Sequence, residues 1–157
     1  MDDFTATIST FFDDALRTAE HDRQAVVVGV GDALIDRTPV GEPETWKDTR
    51  WKDYALEHGY VGGHMKANWQ TAVGSPIDEE LTDNGKPFDG PADVSGALAK
   101  DMLRSNLGSG DCTVFITNNV PYCERIEEGS LSPQAPSGVV APVISDAENI
   151  IRKAIAS

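Results

Sequence analysis

Apolar residues near the amino terminus recur with the period of a helix. Phe4, Ile8, Phe11, Phe12, Ala15, Leu16 and Ala19 follow the i, i+4, i+7, i+8 spacing, which predicts an amphipathic helix from residue 3 to about residue 20. Asp2 and Asp3 open it, where the helix dipole favours acids. In AVVVGVGDALIDR the positions Val26, Val30, Ala33, Leu34 and Arg37 fit a helical face, which Val27 and Ile35 widen. The β-branched run and its glycines fit a strand equally well. Helix is preferred, ending before Thr38-Pro39, because a residue preceding proline avoids the α region.

The pattern then breaks. Residues 38–63 hold two prolines, four glycines and the aromatics Trp46, Trp51, Tyr54 and Tyr60 among charges, and read as a long loop. From His64 to Gly74 the apolar positions alternate. Met65, Ala67, Trp69, Thr71 and Val73 share one face of a predicted strand. Residues 74–91 are rich in turn formers, with a short hairpin expected at Asn84-Gly85. A helix follows over 93–107, with Val94, Leu98 and Met102 on its apolar face, joined by Leu103.

CTVFIT predicts a strand over 111–117, stopped by Asn118-Asn119 and Pro121. Pro121 suits the first position of a short helix, in which Tyr122 and Ile126 lie one turn apart and face the sheet. Glu124, Glu127 and Glu128 are then left toward solvent or a neighbouring subunit. Gly129 closes that helix, and Ser130 to Gly138, with Pro133 and Pro136, kink into a last helix over 145–156 carrying Ala147, Ile150, Ile151, Ala154 and Ile155. The class is α/β of the α+β kind: a small, mostly antiparallel sheet against a long N-terminal helix and further helices, with long loops. The 157 residues suit a single domain over 1–157, with loop insertions at 38–63 and 74–91.

Charge changes the picture more than composition does. The formal net charge of −13 repels phosphate backbones and argues against specific nucleic-acid binding. No apolar run approaches the roughly 20 residues that span a bilayer, so no membrane role is expected. The acidic start MDDFTATIST lacks a basic segment, so no secretory signal is read there. Cys112 and Cys123 have no metal spacing and read as packed free thiols.

The candidate chemistry is thin. Gly29-Val30-Gly31 lacks the third glycine of a dinucleotide fingerprint, since Leu34 stands there, and reads as packing. His21, His58 and His64 are too widely spaced for a local metal motif and read as surface residues. Glu124, Glu127 and Glu128 beside Arg125 read as a solvated face or subunit contact rather than an acid/base pair.

Three stretches taken in order carry a resemblance: TPVG at 38–41, GYVGGHMKANWQ at 59–70 and ITNNVPYCERIEEGSLSPQAPSGVV at 116–140. Together they resemble the neck and tail-completion proteins of tailed bacteriophages. The matching positions are Thr38, Pro39, Val40, Gly63, Asn68, Trp69, Asn118, Asn119, Pro121, Tyr122, Glu127, Gly129, Ala135, Pro136 and Gly138. The chain departs from that pattern at 41–58, which is inserted, and at His64 and Lys66, where arginines are common. The resemblance implies a structural virion protein of the head–tail junction, assembled in the host cytoplasm, with no enzymatic activity, no cofactor and no metal. It implies copies of itself as partners, in a ring of six subunits, whose lumen the net charge of −13 predicts to be acidic or neutral. It also implies contact with other junction and tail proteins, and passage of genome DNA through the lumen without specific binding.

Two other classes fit the residues. One is a small hydrolase or thiol enzyme using His64, Cys123 or the Glu127 cluster, for which a pocket joining two of those groups is the signature. The other is an acidic adaptor or inhibitor that binds a basic partner.

Overall fold

A computed structural model describes the chain except residues 1, 46–48, 61, 84–85, 88–89, 91, 111 and 157. Side chains are also left aside at 2–6, 45, 51, 83, 86–87 and 92. The two predicted N-terminal helices are one helix, α1, Asp2–Arg37. Its 36 residues span about 54 Å. The glycines that made a strand plausible are contact points between helices. A Cβ on Gly31 would lie 2.3 Å from Leu103 Cδ2, and one on Gly29 would lie 3.1 Å from Ala154 Cβ. Leu103 belongs to α4, Ala92–Ser105, and Ala154 to α7, Ala147–Ile155. The carboxyl-terminal half of α1 therefore runs between these two helices, and the GVG sequence permits the close approach.

The expected loop over 38–63 is not structureless. It holds a 3₁₀ turn, Pro43–Thr45, and a helix α2, Thr49–Glu57. Trp46 lies outside the described residues, and so does the Trp51 side chain. The predicted strand over 64–74 divides. His64–Ala67 form one helical turn, α3, and only Trp69–Val73 form β1. Alternation misled here because Met65, Ala67, Asn68, Trp69, Gln70 and Thr71 are all buried, so the period of two did not mark a face. Asn68 ends the turn: both its backbone N–H and its Nδ2 donate to the His64 carbonyl, at 3.2 and 3.1 Å. Gly63 begins it at φ +80°, where a Cβ would meet the Gly90 carbonyl oxygen at 2.1 Å.

β1 pairs antiparallel with β4, Val114–Asn118, in the register Trp69 to Asn118 through Val73 to Val114. The hairpin expected at Asn84-Gly85 is present as β2, Thr82–Asp83, paired with β3, Lys86–Pro87; the two turn residues lie outside the described set. The α4 face differs from expectation. Ser95, Ala99 and Leu103 are buried, whereas Val94 is exposed and Leu98 and Met102 are half-buried. Leu103, which was expected on the apolar face, turns in against Gly31 of α1, and Ser95 turns in at Gly63, with Lys100 bonded to Asp36 and Arg104 to Asp32 along the α1 seam.

Helix α5 is Cys123–Glu127, two residues later than expected, with Pro121 and Tyr122 in the turn before it. Gly129 ends it at φ +70°. A helix not foreseen, α6, Val140–Ser145, precedes α7. α7 runs antiparallel to α1, since Arg37 bonds Asp146 at one end and Gly29 touches Ala154 nearer the other. The core joins Leu34 and Ile35 of α1, Met65, Trp69, Ala99, Leu103, Val120, Ile126, Val139 and Val143. The observed architecture is α+β: helices around a small antiparallel sheet, with long connections.

Candidate functional site

Most residues singled out by motif act inside the fold. The indole Nε1–H of Trp69 donates to Thr38 Oγ1 at 2.7 Å, and that hydroxyl donates to the Leu34 carbonyl at 2.7 Å. All three residues are buried, so this chain of bonds satisfies polar atoms that water does not reach. Pro39 follows as α1 ends. Asn118 Nδ2 donates to the Met65 carbonyl at 2.8 Å, and its Oδ1 accepts the Val120 N–H at 3.4 Å, the local turn bond expected of it. Asn119 instead reaches across to the carbonyls of Ile77 and Glu79, at 2.7 and 3.0 Å. Gln70 donates to the same Glu79 carbonyl at 2.7 Å, and Asn68 Oδ1 accepts the Leu81 N–H at 2.7 Å. Three amide side chains, Asn68, Gln70 and Asn119, thus hold the 77–81 segment on the sheet.

His64 is no surface histidine. Its side chain is 11% exposed, and Nε2 lies 2.5 Å from Glu80 Oε1. The Tyr122 ring centroid is 6.2 Å from that of His64. Tyr122 packs against the core as expected, and burial, with Tyr60 and Glu80 nearby, pushes its phenol well above the ordinary range. Burial also lowers Lys66, the other position where an arginine was expected, although Asp36 opposes that shift. His21 and His58 are exposed, and His58 stacks on Tyr54 with ring centroids 4.0 Å apart.

The Glu127 expectation needs correcting. Its carboxylate neither points to bulk solvent nor waits for a neighbour. Oε2 accepts the N–H groups of Val139 and Val140 at 2.8 and 2.9 Å, and Oε1 accepts that of Ala141 at 2.9 Å. Proline at 142 has no N–H to satisfy, so the amino end of α6 is complete. Partial burial pushes the Glu127 carboxyl up, but the three backbone donors outweigh it and hold the group below the usual carboxylate range. Gly138 permits the approach: at φ +75°, a Cβ there would lie 2.5 Å from the Glu127 carbonyl oxygen. Pro136 is exposed and forms an isolated bridge with Gly138. Glu124 and Glu128 are exposed, as expected. Cys112 and Cys123 are half-buried free thiols. Among the described residues no group of three His, Cys, Asp or Glu side chains is placed to hold a metal, and no helix is long and apolar enough to cross a membrane.

One feature faces outward. Every residue over 7–19 of α1 is exposed, although the stripe on it is apolar. Phe11 is 65% exposed, Phe12 58%, Leu16 69% and Ile8 41%. Packing on α1 begins at residues 20–24. There Arg23 donates to the carbonyls of Leu107 and Gly108 at 3.0 and 3.1 Å, Gln24 to Gly108 at 3.2 Å, and Glu20 accepts the Gly110 N–H at 3.3 Å. The sequence showed this stripe, but periodicity does not say whether a stripe meets the chain's own core or something else.

No family model matches the chain, and no solved structure matches it. Two curated UPF0178 proteins of Caulobacter vibrioides, from strain NA1000 / CB15N and strain ATCC 19089 / CIP 103742 / CB 15, are each 27% identical to it over 94 residues. The match covers 60% of this chain and 54% of theirs, so the chain spans about half the length of the curated relatives it matches. These relatives belong to a bacterial family of unknown function, and they overturn the expected kinship with phage neck and tail-completion proteins. The structural virion role drawn from that resemblance is withdrawn with it. The matched residues have a physical reason to be where they are without it: the Thr38–Trp69 bond, the asparagine clamp and the Glu127 cap build the fold.

Proposed function

We propose that this chain is a non-enzymatic protein–protein interaction subunit whose binding element is the projecting amino-terminal half of α1. The observation that carries the reading is the exposed stripe of Ile8, Phe11, Phe12 and Leu16, on the stretch of α1 over 7–19 that none of the described residues covers. A solvent-facing helix of about 13 residues is marginal in water, and the stripe includes two phenylalanines that water does not favour. A partner helix or groove that takes i, i+3, i+4 anchors resolves both.

Of the groups that an enzyme reading uses, Cys123 is a half-buried free thiol and the other two are engaged. Glu127 closes a helix end, and His64 Nε2 is bonded to Glu80. An acidic adaptor for a basic partner is the second reading, supported by the acids Asp13, Asp14, Glu20 and Asp22 on the same helix.

A photo-cross-linking residue at position 11, compared with one at exposed Asp101 on α4, tests the proposal in cells. A discrete protein adduct at position 11 and none at 101 is the expected result. Equal labelling at the two positions, or none, contradicts it.

A further inference from the structure

The geometry points to a second copy of this chain as the partner of the α1 arm, paired with it antiparallel about a two-fold axis. This rests on the interaction reading above. On an α-helix, 18 residues make about five full turns. Phe11 therefore lies on the same face of α1 as Gly29, against which Ala154 and Ile150 of α7 pack. Ile8 and Ala15 likewise repeat the faces of Val26 and Ala33. The bare stripe continues the face of α1 that holds Gly29, against α7, and Val30, Ala33 and Leu34, in the core, and none of the described residues covers it over 7–19.

A helix antiparallel to α1, in the direction of α7, fits over that stripe. The arm of a copy related by two-fold rotation has that direction and carries the same stripe, as isologous pairing requires. Its amino-terminal end, which opens with Asp2-Asp3, arrives at the end of α7, where Lys153 stands beside Arg152, itself bonded to Glu148 at 2.6 Å. Area agrees. Two phenylalanines, an isoleucine and a leucine at the observed exposures offer roughly 400 Å² per arm. Two arms with their polar flanks reach roughly 1,200 Å², the lower end of a specific interface.

Asp13, Asp14, Glu20 and Asp22 flank the stripe against Arg17 alone. Two arms side by side therefore repel, and added salt strengthens their pairing, whereas salt weakens the docking of a basic partner.

Sedimentation equilibrium of the purified full chain is the test. A dimer at tens of micromolar protein is expected, tighter at roughly 500 mM than at roughly 50 mM salt. Phe12→Asp should weaken it by a factor of about 30 or more. Because position 12 is exposed, this variant should keep the wild-type circular dichroism of the folded domain. Ala15→Cys, near the middle of the overlap, should form an inter-subunit disulfide on mild oxidation, and Ile8→Cys should not. Equal cross-linking at 8 and 15 overturns the antiparallel arrangement. A monomer throughout the concentration range overturns the self-pairing; if position 11 still cross-links to a different protein in cells, the interaction reading survives and only the identity of the partner fails.

Discussion

Trp69 donates its indole N–H to the hydroxyl of Thr38 at 2.7 Å, joining the start of the sheet to the residue that follows α1. Removing the acceptor leaves a buried donor unsatisfied, which costs about 1–3 kcal/mol. Thr38→Val should therefore destabilise the fold by about 2 kcal/mol in urea denaturation. Trp69→Phe removes the donor as well as packing volume, and the double variant should cost less than the sum of the two. Strict additivity contradicts an energetic link between these residues.

Glu127 gives the fold an acid-sensitive joint. Its folded pKa lies below the ordinary carboxylate value, because three backbone N–H groups outweigh the effect of burial. A depressed carboxyl contributes stability that is fully present above its unfolded pKa, about 4.3, and is lost as pH falls through the folded value. The melting temperature of the wild type should fall as pH drops below about 4. Glu127→Gln should be less stable by about 1–2 kcal/mol at neutral pH and should lose less on acidification. Parallel pH profiles for the two proteins contradict the capping role.

The two glycines of α1 should respond differently to alanine. At Gly31 the new Cβ would meet Leu103 at 2.3 Å in the core, and overpacking there should cost about 1–3 kcal/mol. At Gly29 the nearest atom is Ala154 Cβ at 3.1 Å, so a small shift of α7 suffices and the helix gains propensity. Thermal melts of both variants check the order. Gly29→Ala as the more damaging change contradicts the packing described.

Much of the fold was legible where one face decides the pattern. The helical period of α1, the hairpin at 82–87, the strand before Asn118 and the left-handed Gly129 follow from local chemistry. Legibility failed where burial is not one-sided. In the stretch from Met65 to Thr71 several neighbours in sequence are buried together, so alternation imitated a strand through a helical turn. On α4 the closest contact uses the row of Ser95, Ala99 and Leu103, while a count of large apolar residues favours the neighbouring row. The partners of Glu127 lie 12 to 14 residues away along the chain, and no local rule names them. The stripe over 8–19 was visible, but its exposure was not.

The asparagine clamp should control the 77–81 segment alone. Asn119→Ala removes two bonds to that segment, to Ile77 and Glu79. Hydrogen exchange should quicken there with little change in α4, and the global cost should be about 1 kcal/mol. Unchanged exchange over 77–81 contradicts the clamp.

The arm over 7–19 is tested most directly by hydrogen exchange of those residues across a dilution series of the pure protein. Pairing of the arms predicts that their protection rises with protein concentration, from near that of a free helix to that of a packed one, while α4 stays constant. Rapid exchange over 7–19 at every concentration, with the core fully protected, would contradict self-association through this helix.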